Sequence, residues 1–168
     1  MTWLDSSFTH FAETEIALRL GLASLFGAVV GFEREMRNRP AGLRTHMLIS
    51  LAAAIFTVLA FEIFYAVRSE SPVVNIDPLR LVEAVTAGVA FLAAGTILRS
   101  GGKVEGLTTG ASMWLAGAFG MACGLGYYTI ALIGGVFTIM ILAIVLYLED
   151  RYIDHGKTEN DDAPANKD

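Results

Sequence analysis

The feature that most constrains this chain is a series of long apolar runs separated by short polar segments. The longest run, residues 107–147, is too long for a single helical crossing of a hydrocarbon core about 30 Å thick. Hydrophobic residues make up 54% of the sequence and charged residues only 17%, whereas soluble domains carry about 25% charged residues. This pattern predicts a polytopic membrane protein, and its spans should be helical because lipid cannot satisfy the unpaired groups of a strand edge.

We predict an all-α membrane protein, a bundle of about five transmembrane helices. The longest run divides at residues 124–128, where Gly124 and Gly126 suit a tight turn. The predicted spans are residues 16–32, 43–66, 81–98, 107–125 and 127–148. The chain then has three parts: an extracytoplasmic segment at 1–15, a transmembrane helical domain at 16–148 and a polar tail at 149–168, which we expect to be disordered and cytoplasmic.

The distribution of Lys and Arg predicts how the spans are oriented. With five spans, nine of the twelve basic residues fall on one side of the membrane. Four of them lie between residues 34 and 44, two lie at residues 99 and 103, and three lie in the tail. The positive-inside rule therefore places the amino terminus outside and the carboxy terminus in the cytoplasm.

Two acidic residues in the first basic loop, Glu33 and Glu35, are not explained by this charge bias. They can pair with arginines four positions further along the chain. Glu33 can instead reach Arg99 or Arg44, or the two carboxylates can bind Mg²⁺ through its retained waters. We favour pairing, because Glu105 is the only further acid available on this face. The identity of any bound metal stays unknown.

A shift of 64 positions aligns small and apolar residues of the two halves of the sequence. The aligned pairs are Gly31 with Gly95, Gly42 with Gly106, Leu43 with Leu107, Thr45 with Thr109, Leu51 with Leu115, Ala52 with Ala116, and Ala54 with Ala118. This pattern is typical of a parallel internal repeat of two helical hairpins, with the fifth helix outside the repeat.

In such a repeat the second and fourth helices start at the same cytoplasmic surface, each with unpaired amides and a positive dipole end. Thr45 and Thr109 lie where a hydroxyl can cap these starts. With the nearby basic residues, the starts predict either a pocket for a lipid or nucleotide phosphate or ordinary capping and headgroup contact. The predicted cytoplasmic-face functional cluster is Glu33, Arg34, Glu35, Gly42, Arg44, Thr45, His46, Arg99, Lys103 and Thr109. Within it His46 is either a pH sensor or a hydrogen-bonded structural residue.

A second set of charged residues lies near the outer ends of the spans. The predicted outer-side charged cluster is Arg19, Glu62, Asp77, Arg80 and Glu83. Charged groups at this depth must pair, snorkel or face a wet cavity, and Asp77 is placed to cap the third helix. The centres of the predicted spans are uncharged, which argues against a proton pump or a channel with a side-chain filter.

The remaining sequence patterns concern chemistry and assembly. The chain shows neither a nucleophile–base arrangement nor a phosphate-binding loop, so we expect neither an enzyme nor a bound cofactor. Its charge pattern does not suggest a nucleic-acid partner, and its single cysteine, Cys123, excludes an internal disulfide. Small residues on the helix faces suit close packing, either within the chain or in a homodimer.

Several ordered motifs identify a family resemblance. They are Gly31-x-Glu33-Arg-Glu35 with Arg39-Pro-Ala-Gly-Leu-Arg-Thr-His46, Asp77-Pro78-x-Arg80, Gly88-x-x-Phe91-Leu-x-Ala-Gly95, and Gly106-Leu-Thr-Thr109 with Trp114. Over residues 16–146 the sequence resembles the MgtC/SapB family of bacterial inner-membrane proteins. Ala93 departs from the family pattern, which more often has glycine there, and so does the pair Glu83-Ala84.

The resemblance implies a multi-pass inner-membrane protein that acts without catalysis. It implies a regulator or interaction protein that supports adaptation to magnesium limitation or to acid and envelope stress, in a family associated with virulence. The partners it implies are membrane lipids and another inner-membrane complex, for which ATP synthase is one example in the family. The alternative is a transporter of a small ion or solute such as Mg²⁺. The sequence also resembles the short form of the family, which lacks a soluble carboxy-terminal domain.

Overall fold

The structure, a computed structural model, describes residues 9–70, 77, 79–100 and 103–152, except for the side chains at positions 70, 99, 100, 103 and 146–152. Within these ranges the chain forms five α-helices and one β-hairpin. The elements are α1 Glu13–Met36, α2 Leu43–Glu70, α3 Leu79–Ala94, β1 Leu98–Ser100, β2 Lys103–Glu105, α4 Leu107–Gly124 and α5 Tyr128–Tyr152. The predicted all-α bundle of about five helices is confirmed.

Three of the helices are long and apolar enough to cross a membrane, judged by length and composition over the described residues. These segments are Glu13–Met36, Leu43–Ser69 and Tyr128–Val145. With 16 residues in α3 and 18 in α4, these helices are about 24 and 27 Å long, slightly less than the roughly 30 Å hydrocarbon core. That α3 and α4 also cross the membrane stays a prediction.

The third predicted span, residues 81–98, differs most from the structure. Helix α3 ends at Ala94, where the Thr96 hydroxyl donates to the Ala93 carbonyl oxygen at 2.7 Å. An antiparallel hairpin follows, with the register Leu98↔Glu105, Arg99↔Val104 and Ser100↔Lys103. Gly106 then has a φ of +85°, and a Cβ there would meet the Thr96 carbonyl, so this turn requires glycine.

The ends of the first and last helices also differ from the prediction. Helix α1 begins at Glu13, three residues earlier than expected, and acidic residues in its first turn stabilise the positive end of the helix dipole. Helix α5 continues to Tyr152 and so includes the first residues of the predicted tail, 149–168. Residues 1–8 and 153–168 lie outside the described part of the chain, so the predicted disorder of the tail is not addressed beyond Tyr152.

The chain comprises two compact units, Met1–Leu132 and Ile133–Asp168. In the first unit α4 packs against α1, α2 and α3, α1 and α2 share the most extensive interface, and α2 and α3 touch only slightly. One buried cluster of this unit includes Ala23, Phe119 and Cys123, and another includes Ile49 and Met113. In the second unit α5 continues as a helix, with the Thr138 hydroxyl donating to the Gly134 carbonyl oxygen at 2.8 Å.

Glycines bring α1 and α4 into backbone contact with α2. A Cβ added at Gly27 of α1 would lie 2.9 Å from the Cα of Met47. A Cβ at Gly124 of α4 would lie 2.7 Å from the Cβ of Thr57, and one at Gly120 would meet the Ser50 carbonyl. Small residues thus mediate close packing within the chain, as one of the two predicted alternatives required.

Candidate functional site

A group of polar residues lies where α1 ends and where α2 and α4 begin. We call it the helix-start cluster, and it comprises Glu33, Arg34, Glu35, Gly42, His46, Thr109 and Ser112. Three helix ends therefore meet at one end of the first unit. The sequence predicted that the starts of α2 and α4 lie together, and the contact between His46 and Ser112 places them so.

The last turn of α1 is organised around Glu33. The Nε of Arg34 donates to one carboxylate oxygen of Glu33 at 2.5 Å, and the Nε of Arg37 donates to the other at 2.8 Å. The second contact is the i+4 pairing that the sequence favoured. Arg34 is only 5% exposed, so Glu33 compensates the charge of a buried guanidinium.

Glu35 caps the start of α2. The backbone N–H of Leu43, the first residue of α2, donates to the Oε2 of Glu35 at 3.0 Å. A Cβ added at Gly42 would overlap the same oxygen, so only glycine leaves room for the carboxylate. The anion at the start of α2 is therefore a side chain of the protein itself, and Glu35 takes the capping role that was predicted for Thr45.

His46 joins the start of α2 to α4. The ring is fully buried; its Nδ1 lies 2.8 Å from the Gly42 carbonyl oxygen and its Nε2 lies 2.9 Å from the Oγ of Ser112. Gly31 of α1 packs against it, since an added Cβ would lie 3.0 Å from the Cβ of His46. His46 therefore joins α2 to α4 through its ring and packs against α1 through its Cβ.

The hydrogen bonds of His46 define two proton arrangements. A carbonyl oxygen only accepts, so Nδ1 carries a proton and donates to Gly42. The Oγ of Ser112 also lies 2.8 Å from the Thr109 carbonyl oxygen. If the ring is neutral, the hydroxyl of Ser112 can donate its single proton either to Nε2 of His46 or to the Thr109 carbonyl oxygen, but not to both. If it is charged, Nε2 donates to Ser112 and Ser112 donates to Thr109.

Both of the earlier interpretations of His46 therefore stay predictions. The charged side chains that act on the ring, Glu33 and Arg34, both belong to α1. The group of α4 that faces the His46 ring is the hydroxyl of Ser112. The structural role and the sensor role would both act through the two hydrogen bonds of the ring, to Gly42 and to Ser112.

The other members of the predicted cytoplasmic-face cluster take little part in these hydrogen bonds and ion pairs. Arg44 is exposed and Thr45 is half-buried. Thr109 is buried. The N-cap position of α4 is occupied by Gly106, which has no side chain that could cap the helix. The backbones of Arg99 and Lys103 belong to β1 and β2, and their side chains lie outside the described part of the chain.

The predicted alternative of a magnesium site does not match the arrangement of the carboxylates. Glu33 faces two guanidinium groups and Glu35 faces a backbone amide. Among the described residues, no group of three or more His, Cys, Asp or Glu side chains is placed to hold a metal ion. Mg²⁺ requires near-octahedral oxygen coordination, which a carboxylate paired with arginine does not offer.

At the other end of α1, Arg19 holds the last turn of α4. Its Nη1 donates to the Gly124 carbonyl oxygen at 2.5 Å and its Nη2 donates to Glu15 at 2.5 Å. The guanidinium carbon also lies 4.1 Å from the centre of the Phe11 ring. A cation thus compensates the negative end of the α4 dipole.

Glu62 binds the segment that precedes α1. Its carboxylate accepts from the backbone N–H of His10 at 2.6 Å and from that of Phe11 at 2.9 Å. The His10 ring also stacks on Tyr65 of α2, with ring centres 3.8 Å apart. Because Phe11 also contacts Arg19, two members of the predicted outer-side cluster, Arg19 and Glu62, meet through this segment.

The other three members of the outer-side cluster lie on or beside α3. Asp77 accepts from the backbone N–H of Leu79 at 3.0 Å, which is the predicted cap. Arg80 and Glu83 are exposed. Within the described part of the chain, these three residues form neither a hydrogen bond nor an ion pair with Arg19 or Glu62.

Three contributors to these sites were not singled out from the sequence. Glu15 precedes Arg19 by four residues, and this spacing alone indicates the pair. Ser112 and Phe11 carry no such local signal, because their partners lie 66 and 51 residues away in the sequence. Contacts of this kind depend on the tertiary packing.

The sequence matches known proteins over most of its length. The model of the MgtC family matches residues 20–151. The chain is 38% identical over 140 residues to the Escherichia coli K12 protein named putative magnesium transporter YhiD, covering 83% of this chain and 65% of that protein. It is 39% identical over 119 residues to protein SapB of Bacillus subtilis, covering 70% and 51%. It is 38% identical over 123 residues to protein MgtC of Brucella abortus, covering 73% and 48%.

The chain thus spans about half to two thirds of the length of these curated relatives. No solved structure matches it.

Proposed function

This chain belongs to the MgtC family, and from that premise we propose that it is a non-enzymatic regulator or interaction protein of the bacterial inner membrane. It supports adaptation to magnesium limitation or to acid and envelope stress by contacting another membrane component. Its amino terminus lies outside and its carboxy terminus lies in the cytoplasm. The connection with magnesium comes from the relative named a putative magnesium transporter.

The sign of the buried charge is the observation that carries this proposal. Arg19 is 7% exposed and Arg34 is 5% exposed, and no Asp or Glu is buried in the described part of the chain. A pathway for Mg²⁺ needs oxygen ligands of negative or neutral charge, and the carboxylates beside these guanidinium groups, Glu15 and Glu33, are already paired with them. The interior of the first unit is therefore better suited to structural pairing than to cation passage.

Two buried hydroxyl groups of α2, on Ser50 and Thr57, are also used in hydrogen bonds to backbone carbonyls. The Oγ of Ser50 donates to the Ala23 carbonyl oxygen at 2.6 Å, which joins α2 to α1. The Oγ1 of Thr57 donates to the Ala53 carbonyl oxygen at 2.7 Å within α2. Both hydroxyls donate to backbone carbonyl oxygens, and the Ser50 bond stabilises the interface between α1 and α2.

Exposed charged residues around the helix-start cluster support a role in binding another membrane component. Glu35, Arg39 and Arg44 are exposed there, next to Glu33 and its buried partner Arg34. Exposed charges beside a rigid helix junction suit anionic headgroups or the charged surface of a partner protein. We propose that this surface makes the functional contact.

Transport of Mg²⁺ or another small solute is the second candidate function. It is favoured by the name of the Escherichia coli relative and by the sequence repeat, because internal repeats are common in transporters. In that case the second unit, or residues outside the described ranges, would have to supply the oxygen ligands.

The deciding experiment is Mg²⁺ entry into proteoliposomes that contain only this protein, followed with a trapped fluorescent indicator. We expect no flux above that of empty vesicles, from protein whose helical circular dichroism shows that it is folded. The same gene, restored to cells that lack it, should improve growth at low Mg²⁺.

Saturable Mg²⁺ flux above that of empty vesicles would overturn the regulatory proposal, whether or not Glu33→Gln or Glu83→Gln reduces it. Glu13→Gln serves as the control substitution, because Glu13 is an exposed residue in the first turn of α1. Absent flux together with rescue of growth would support regulation and direct the search to partners.

A further inference from the structure

Residues 9–12 form a short segment that lies against α2 before α1 begins, and we call it the pre-helix segment. One oxygen of the Glu62 carboxylate accepts from the backbone N–H of His10 at 2.6 Å, and the other accepts from that of Phe11 at 2.9 Å. Two consecutive amides outside any helix thus depend on one side chain of α2. Within the described part of the chain Glu62 belongs to none of the ion pairs, so these two amides compensate its charge.

Ring contacts complete the attachment of the pre-helix segment. The imidazole of His10 stacks on Tyr65 of α2 with ring centres 3.8 Å apart, and the Phe11 ring lies edge-on to Tyr65 at 5.9 Å. The Phe11 ring also lies over Arg19, whose guanidinium carbon is 4.1 Å from the ring centre. Arg19 in turn donates to the Gly124 carbonyl oxygen at the end of α4. The segment therefore connects α2 with the junction of α1 and α4.

The strength of this attachment depends on the charge of Glu62. An ionised carboxylate accepts through both oxygens, and its hydrogen bonds are about twice as strong as those between neutral groups. Protonation converts one oxygen into an O–H donor and removes the charge from the other. Glu62 is half-buried, so protons can reach it from solvent. Protonation of this one side chain therefore weakens both backbone hydrogen bonds of the segment.

The other charged groups around Glu62 do not hold the segment in this way. Helix α4 carries no charged residue. The charged and titratable residues on the other neighbouring elements are His10 in the segment, Glu13, Glu15 and Arg19 of α1, Arg68 of α2, and Arg80 and Glu83 of α3. Glu15 is paired with Arg19, and Arg68 lies over the Phe64 ring. Glu13, Arg80 and Glu83 are exposed. His10 is the group whose titration the experiment has to separate from that of Glu62.

We propose that the pre-helix segment is a pH-dependent strap, held to α2 while Glu62 is ionised and released when Glu62 is protonated. The ionised carboxylate is the form that binds the segment, so acid favours the released state by linkage. Release moves Phe11 away from Arg19 and uncovers the guanidinium at the junction of α1 and α4. This proposal is independent of the function proposed above, because it concerns neither the helix-start cluster nor magnesium.

The test is electron paramagnetic resonance of a nitroxide label on Thr9→Cys in the Cys123→Ala background. Spectra are recorded in detergent micelles from about pH 8 to about pH 4, a range that includes the titration of carboxylic acids. We expect a mostly immobile label at the upper limit and an immobile fraction at least about threefold lower at the lower limit. A label on Arg39→Cys, beyond the other end of α1, should not change, which shows that the fold persists.

Three variants assign the transition to one side chain. Glu62→Gln keeps one acceptor oxygen but cannot titrate, so its label should have the same mobility throughout the pH range. His10→Phe keeps a ring against Tyr65 and removes the imidazole, and it should retain the transition. Glu105→Gln is the matched control, because Glu105 is an exposed acid in β2, and it should behave like the unmodified protein.

Glu62→Ala removes both acceptor oxygens, so its label should be mobile even at the upper pH limit. An immobile label in Glu62→Ala, or an unchanged pH transition in Glu62→Gln, would overturn the proposal. A transition that disappears in His10→Phe would also overturn it, because the imidazole would then be the titrating group.

Discussion

At the scale of single residues, Gly42 and Glu35 act as one unit, because the carboxylate that caps α2 lies in the space left by the missing side chain. Glu35→Ala removes the cap and should lower the free energy of unfolding by about 1 kcal/mol. Gly42→Ala displaces the same carboxylate and should cost a similar amount. The double variant should cost less than the sum of the two, as measured by unfolding in detergent micelles.

Strictly additive losses in that cycle would show that Gly42 contributes to stability independently of the carboxylate. Glu13→Ala provides a reference for removing an exposed acid that has no recorded cap contact. We expect its effect on the free energy of unfolding to stay within about 0.5 kcal/mol.

Local spacing accounts for only part of this site. It predicted the pair Glu33–Arg37, because residues four apart on a helix are neighbours. It did not predict the cap by Glu35, because that contact depends on how the chain reverses between α1 and α2. Asn38 has a φ of +52° there, a left-handed conformation that asparagine tolerates but that spacing does not reveal.

At the scale of helices, the stripe of glycines on α4 decides how closely α2 and α4 approach. In Gly120→Ala the new Cβ meets the backbone carbonyl of Ser50 and an atom of Ala53, and a backbone carbonyl cannot rotate away. We expect the free energy of unfolding to fall by about 1–3 kcal/mol. The measurement is denaturant unfolding of the purified protein in detergent.

Gly21→Ala is the matched control for this substitution. Gly21 is also a glycine in a helix, but a Cβ there meets no atom within 4 Å. Alanine should leave stability unchanged or raise it by about 0.5–1 kcal/mol, because it restricts the unfolded chain more than glycine does. Similar losses in Gly120→Ala and Gly21→Ala would contradict a role of backbone contact between α2 and α4.

The starts of α2 and α4 were predictable from the sequence, and the end of α3 was not. Leu43 and Leu107 begin helices directly after glycines, as predicted. The apolar residues Ile97 and Leu98 continue the third hydrophobic run, so composition places them in a helix. Strand pairing of Leu98 with Glu105 instead places them beyond the helix end, and it depends on residues that follow in the sequence.

At the scale of the whole molecule, the distribution of Lys and Arg predicts the topology. We expect cysteines introduced as Arg39→Cys and Val104→Cys to be labelled by a membrane-impermeant maleimide only from the cytoplasmic side. Thr9→Cys should be labelled only from outside. All three positions are exposed, and Cys123→Ala provides the background because the native cysteine is fully buried.

Labelling of Val104→Cys from outside would mean that α3 does not cross the membrane, and it would contradict the five-span topology. This is the weakest part of the predicted topology, because α3 has only 16 residues. The lengths of the apolar runs in the sequence were sufficient to predict five helices. They could not show that α4 packs against three neighbours, because that arrangement depends on which faces the glycines occupy in three dimensions.

The contact between Arg19 and Gly124 has a consequence for biosynthesis. These residues are separated by 105 positions, so at about 5–20 residues per second the ribosome needs on the order of 5–20 s to supply the carbonyl that Arg19 binds. During that interval a cationic side chain sits in a newly inserted helix without its final partner. Glu15, four residues away on the same helix, is synthesised just before Arg19 and can neutralise it at once. The short-range pair can therefore hold the charge of Arg19 until the last turn of α4 has been synthesised.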